Sequence, residues 1–140
     1  MMPVSASAPG KIILLGEHAV VYGQPALAVP VDALQATARI EPAPPGSGLV
    51  IDASDVGLRL SLAEAAVEAL SLTARLVLDH LQAPEPDALI SLTSSIPVAS
   101  GLGSGAAVSA ALARALGQFL GEPFDNATLS GLVFEGEKLH

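Results

Sequence analysis

The sequence predicts helices packed closely on a β-sheet, and three observations carry that expectation. Short apolar runs bounded by Gly and Pro read as strands, and longer stretches repeat their apolar residues every three or four positions. The composition, 51% hydrophobic and 14% charged, supplies ample apolar surface to bury and excludes a disordered chain. Only four residues are aromatic (Tyr22, Phe119, Phe124, Phe134) and none is Trp, so Ala, Val, Leu and Gly fill the interior and let helix and sheet approach closely.

Taken in order, Lys11–Leu15 is a short apolar strand between Pro9-Gly10 and Gly16. Ala26–Val31 reads the same way, and Ala36–Ile40 alternates as a half-exposed strand does. The run Pro42-Ala43-Pro44-Pro45-Gly46-Ser47-Gly48 is a loop, followed by strands at Leu49–Ile51 and Leu58–Leu62. Leu62, Ala66, Ala69, Leu70, Ala74, Val77 and Leu81 then share one helical face, with Glu64, Glu68, Arg75 and Asp79 mostly on the other, until Pro84 and Pro86. Ala88–Thr93 alternates as a strand. After a glycine-rich segment, an Ala-rich helix runs from about Ala106 to Leu120, with Gly121 as its stop and Pro123 as the break beyond. A last helix opens at Asp125 as N-cap and is still running at His140. No internal repeat or interdomain linker is visible, and 140 residues match one ordinary domain of roughly 150.

A formal charge of −8 counts against nucleic acid, whose affinity comes from Lys and Arg neutralising phosphates. An anionic ligand must therefore be held locally, by backbone N–H groups, a metal ion or a few well-placed cations. The absence of Cys excludes disulfide scaffolds and thiolate metal sites. No apolar run reaches the roughly 20 residues of a membrane span, and the first residues lack the basic region of a signal peptide. A cytoplasmic location is the expectation, which makes the glycosylation-like Asn126-Ala127-Thr128 a chance match.

The sharpest chemical feature joins the strand at 88–93 to the Ala-rich helix. Gly101, Gly103 and Gly105 alternate there, leaving a backbone without Cβ atoms that can turn several N–H groups inward, and the following helix adds the positive end of its dipole. Three readings stand: a tight connection without ligand, a dinucleotide turn, or a triphosphate cradle. Gly101-x-Gly103-x-x-Ala106 fits the dinucleotide pattern, but Glu122, at the spacing of the acidic partner, sits in a turn between helices. No Lys followed by Ser or Thr ends the segment, so it is not a Walker A loop. Of the two nucleotide readings the triphosphate cradle fits better.

Two further segments add to it. Pro9-Gly10-Lys11 and Gly16-Glu17-His18-Ala19-Val20-Val21-Tyr22-Gly23 place Lys, Glu and His at the two ends of one short strand, and Phe134-Glu135-Gly136-Glu137-Lys138-Leu139-His140 closes the chain. With Pro97 through Ala107 and its Gly101-Leu102-Gly103-Ser104 core, these segments resemble, in the same order, the kinases that share the galactokinase, homoserine kinase, mevalonate kinase and phosphomevalonate kinase fold. Lys11 and His18-Ala19-Val20 are most similar to the mevalonate kinase branch.

That resemblance implies an α+β fold, a mixed β-sheet backed by helices of the ribosomal protein S5 domain 2-like type, and ATP-dependent phosphorylation of mevalonate to 5-phosphomevalonate in isoprenoid synthesis. It also implies roles. Lys11 neutralises charge at the transferred phosphoryl group, and Glu17 and His18 orient mevalonate. Ser94, Ala99, Ser100, Gly101, Leu102, Gly103, Ser104 and Gly105 surround the ATP phosphates, and Glu137 with Ser104 binds Mg²⁺. Gly105 departs from the family's Gly-Leu-Gly-Ser-Ser, whose last serine commonly supplies the metal's hydroxyl ligand. The resemblance further implies that residues 1–140 are an amino-terminal ATP-binding domain lying before a Gly-x-Pro-Ser-Gly-x-Asp segment with the catalytic base. The chain alone is then expected to be inactive and the longer enzyme to form a homodimer. A related kinase acting on phosphomevalonate or a sugar, and a non-catalytic nucleotide-binding module, are the alternatives.

Overall fold

A computed structural model describes residues 3–15, 27–53, 58–62, 69–96 and 104–137. Within them run β1 (Val4–Leu15), β2 (Leu27–Pro42), β3 (Leu49–Ala53), β4 (Leu58–Ser61), α1 (Ala69–Leu81), β5 (Ala88–Ser94), α2 (Ser104–Phe119) and α3 (Asn126–Glu137). The strands form one sheet in the order β1-β2-β5-β3-β4. Neighbours pair antiparallel except β3 and β5, which are parallel. The connection between those two includes β4 and α1, the kind of long crossover that parallel strands require. The expected mixed sheet with helices is present. A doubly wound dinucleotide fold, which needs a mostly parallel sheet, is not what these strands build.

One sheet face makes the core, and period-two alternation selects its residues. Ala6 and Ala8 of β1, Ala36, Ala38 and Ile40 of β2, Leu49, Ile51 and Ala53 of β3, and Ala88, Ile90 and Leu92 of β5 are buried. The opposite face is polar: Ser7 and Thr37 share a hydroxyl hydrogen bond of 3.0 Å, and Arg59 pairs with Asp52 at 2.9 Å. Arg59 is 65% exposed, so that pair contributes little to stability.

Two boundaries differ from expectation. β1 begins at Val4 rather than Lys11, because Ser5-Ala6-Ser7-Ala8 alternates in size and polarity but presents almost no hydropathy contrast. The strands expected at 26–31 and 36–40 are one strand, β2, bent by a bulge. Pro9 lies opposite Gln35 and Gly10 opposite Val31, so Asp32, Ala33 and Leu34 have no partner residue on β1. Leu62, expected to share the face of the first helix, is a buried turn residue instead, and positions 63–68 lie outside the described residues.

Helix α2 is the hub. It lies on β1, β2 and β5 and packs against α1 and α3, which also touch each other. Ala107, Ala111, Leu112, Ala113, Ala115 and Leu116 are consequently buried around nearly its whole circumference. Their small size sets the close approach of helix to sheet. Arg114 stays partly exposed and donates to the Ser7 carbonyl at 2.6 Å, covering one acceptor of the β1 edge.

The helix ends are capped as their sequences suggest. Gly121, at φ +81°, closes α2, and the Glu122 N–H donates to the Gly117 carbonyl at 2.8 Å. Asp125 is the N-cap of α3: its Oδ1 accepts the Thr128 N–H at 2.7 Å. Helix α1 ends the same way as α2 but with Gln82 in the left-handed position, at φ +52°, and the Ala83 N–H on the Leu78 carbonyl.

Candidate functional site

Strand direction determines which residues can meet. β1 and β5 both run antiparallel to β2, so they are parallel to each other. β5 ends at Ser94, opposite Ala36, which in turn lies opposite Ala8. β1 continues past this level to Lys11, whose backbone pairs with Pro30 beyond the bulge. The strand carrying Lys11 and the exit of β5 therefore lie at the same end of the sheet.

Helix α2 returns to that end. α2 follows β5 after nine residues, packs on the same sheet, and must run back along it. Arg114 is anchored beside Ser7, and Ser104 lies ten residues, or about 15 Å, up the helix. Lys11 lies four residues, or about 13 Å, along β1 from Ser7 in the same direction. The N-terminus of α2 and the Lys11 backbone thus stand at a similar level. After the corner at 120–125, α3 packs against both α2 and α1, and Glu137 is its last residue.

Of the residues singled out from the sequence, topology places Lys11, Ser94, Ser104 and Gly105 toward one end of the fold, while Glu137 ends α3, which packs on α1 and α2. Gly105 is exposed in the first turn of α2. The side chains of Lys11, Ser104 and Glu137 lie outside the described residues, as do Glu17, His18, Ala99, Ser100, Gly101, Leu102 and Gly103 altogether. Ser94 acts on its own neighbourhood, where its Oγ accepts the Ile96 N–H at 3.1 Å in a serine turn that starts the chain out of β5. At the α2 N-terminus the unpaired N–H groups and the helix dipole favour an anion, as a triphosphate cradle requires. Glu122 sits at the exposed corner after α2, at the far end of that helix, which removes the dinucleotide reading's acidic partner.

Sequence reasoning passed over Ser95. Its N–H donates to the Gln35 carbonyl at 3.0 Å, and its Oγ accepts the Gln35 N–H at 3.0 Å. The visible signal was a Ser-Ser-x-Pro run at a strand end, which marks a turn but does not say which backbone it grips. Among the described residues no helix is long and apolar enough to cross a membrane.

Comparison with known proteins bears on this arrangement. Residues 61–140 match the family model of the GHMP kinases N terminal domain. Mevalonate kinase from Thermococcus onnurineus is 38% identical over 154 aligned positions, covering 99% of this chain and 46% of that protein. Mevalonate kinase from Pyrococcus furiosus is 39% identical, covering 86% of this chain and 40% of its own length. The crystal structure of Methanococcus jannaschii mevalonate kinase superposes with a TM-score of 0.83 at 27% identity, over 96% of this chain and 46% of that one. The chain spans about half the length of the curated relatives it matches.

Proposed function

The chain belongs to the GHMP kinase family, and from that premise we propose that it is the nucleotide-binding part of an ATP-dependent mevalonate kinase. The supporting observation is that the strand carrying Lys11, the exit of β5 and the N-terminus of α2 lie toward one end of the fold.

In this reaction a mevalonate hydroxyl oxygen attacks the γ-phosphorus of ATP. The bond from that phosphorus to the bridging oxygen of ADP breaks, and the hydroxyl proton leaves to a base. Little covalent work falls to the protein, so positioning and charge stabilisation dominate. Backbone N–H groups of residues 99–105 and the α2 N-terminus receive the phosphate oxygens, and the Lys11 ammonium offsets charge on the moving phosphoryl group. Glu17 and His18 orient mevalonate. The Glu137 carboxylate and the Ser104 hydroxyl, hard oxygen donors on helices that pack together, would hold Mg²⁺. A Mg²⁺ held there would supply neutralisation of phosphate charge. On a chain of net charge −8, such local devices are how a polyanion is held.

The test is ADP release by the full-length protein with ATP, Mg²⁺ and mevalonate, against phosphomevalonate, galactose and homoserine. Mevalonate-dependent ADP formation is expected. Turnover of phosphomevalonate but not mevalonate reassigns the substrate. No turnover with any of them, while ATP protects residues 97–105 from protease, makes the chain a nucleotide-binding module. Lys11→Ala is expected to lower kcat by about 100-fold with a much smaller change in ATP affinity. Equal losses in both would remove Lys11 from the phosphoryl transfer step.

A further inference from the structure

The antiparallel β2–β5 ladder keeps a fixed register: Ala36 opposite Ser94, Thr37 opposite Thr93, and so on to Pro42 opposite Ala88. One step further that register puts Gln35 opposite Ser95. A hydrogen-bonded pair at this position would exchange two backbone bonds. Only one is of that kind, from the Ser95 N–H to the Gln35 carbonyl at 3.0 Å. In the other, the Gln35 N–H goes to the Ser95 side chain at 3.0 Å, where a backbone carbonyl would ordinarily accept it. The same Oγ donates back to the Gln35 carbonyl at 3.3 Å. The Ser95 carbonyl is thereby released from the ladder, and the chain can turn out of the sheet without orphaning Gln35.

Gln35 occupies a particular place. Both its N–H and its carbonyl face β5, so its pairing with Pro9 on the other side is one that needs no donor from β1, which is why a proline fits there. Gln35 is also the first regular residue after the bulge at 32–34, on whose other side Val31 and Pro30 of β2 pair with Gly10 and Lys11. On the other side of the joint, the glycine-rich segment begins two residues after Ser95. The Ser95 hydroxyl, with its own N–H, thus ties the exit of β5 to β2, the strand that pairs with Lys11.

We propose that Ser95 is a positioning residue for phosphoryl transfer, whose side chain replaces the last carbonyl of the β2–β5 ladder and so fixes the exit of β5 against β2, the strand that pairs with Lys11. This rests on the kinase reading above. Ser95 is exposed, so water can satisfy Gln35 when the hydroxyl is lost, and the fold should survive. Small misplacements of reacting groups nevertheless cost rate steeply.

The experiment compares Ser95→Ala and Ser95→Thr with the parent in the full-length protein, measuring kcat, both KM values, the melting temperature and amide exchange at Gln35. Ser95→Ala should lower kcat about 10-fold, leave KM for mevalonate unchanged within about twofold, speed exchange at Gln35, and move the melting temperature by less than about 4 °C. Ser95→Thr keeps the hydroxyl and should restore most of kcat. An active parent with an equally active Ser95→Ala overturns the proposal while leaving the kinase reading intact. Equal impairment in the Ala and Thr variants also overturns it, since the hydroxyl is then not the agent. A parent that does not phosphorylate mevalonate overturns the kinase reading, and this proposal with it.

Discussion

Replacing Gly117 by Ala pits two effects of opposite sign against each other at the corner that turns α3 back over α2. Helix propensity alone favours Ala by about 1 kcal/mol. Contact geometry opposes it: a Cβ on Gly117 would meet the Phe124 ring at 2.8 and 3.0 Å and the Glu122 carbonyl oxygen at 3.0 Å. Neither neighbour yields easily. The Glu122 backbone is held by its N–H bond to the Gly117 carbonyl and by the left-handed Gly121 before it. Phe124 is half-buried and packs edge-on against His80, with ring centroids 5.7 Å apart. Overpacking of this kind costs about 1–3 kcal/mol, so the net effect is a loss of about 1 kcal/mol. That corresponds to a melting temperature about 4 °C lower for a chain of this size. Gly131→Ala is the matched control, because Gly131 is an exposed residue of α3 whose Cβ would meet nothing within 4 Å. It should gain about 1 kcal/mol, the full propensity term. Thermal unfolding followed by circular dichroism would read both. Equal stabilisation by the two substitutions would refute the claim that the α2–α3 corner is held by close packing at Gly117.

Two further outcomes follow from the helix caps. The Thr128 backbone N–H, and secondarily its side chain, hydrogen-bond the Asp125 carboxylate and hold its pKa below the ordinary carboxylate value. A depressed folded-state pKa stabilises above the unfolded-state value, about 3.9, and the benefit is lost as pH falls through the folded-state value. Asp125→Ala should therefore lower the melting temperature at pH 7 and do so progressively less below about pH 3.9, as melts across the acid range would show; a pH-independent difference would exclude the charged cap. Gln82→Gly should raise stability by about 1 kcal/mol, measured by urea titration, because Gln82 closes α1 at φ +52° where glycine carries no steric cost.

Much of this architecture was written locally. The three- and four-residue periodicity read from Leu62 to Leu81, the alternation in Ala88–Thr93, the stop at Gly121 and the cap at Asp125 all depend on neighbours within a turn or two, and apart from Leu62, a turn residue, and positions 63–68, outside the described residues, each stands where its residues suggest. The Lys11 and glycine-rich motifs were legible for the same reason, as short strings whose chemistry depends on spacing along the chain. The first half of β1 was not legible. Its Ser-Ala repeat is a strand because Ala6 and Ala8 fit beneath a helix of equally small residues, a property of the pair rather than of either segment.

Strand order belongs to the same class. Nothing local says that β5 inserts between β2 and β3, yet that insertion makes β1 and β5 parallel and brings their far ends to one end of the sheet. The bulge before Gln35 exists only once β1 and β2 are paired, and the grip of Ser95 on Gln35 only once β2 and β5 are side by side. Short-range patterns specify which elements form and which groups the chain has available. Where those groups meet depends on contacts between residues far apart in sequence, because pairing and packing are satisfied across elements and not within them.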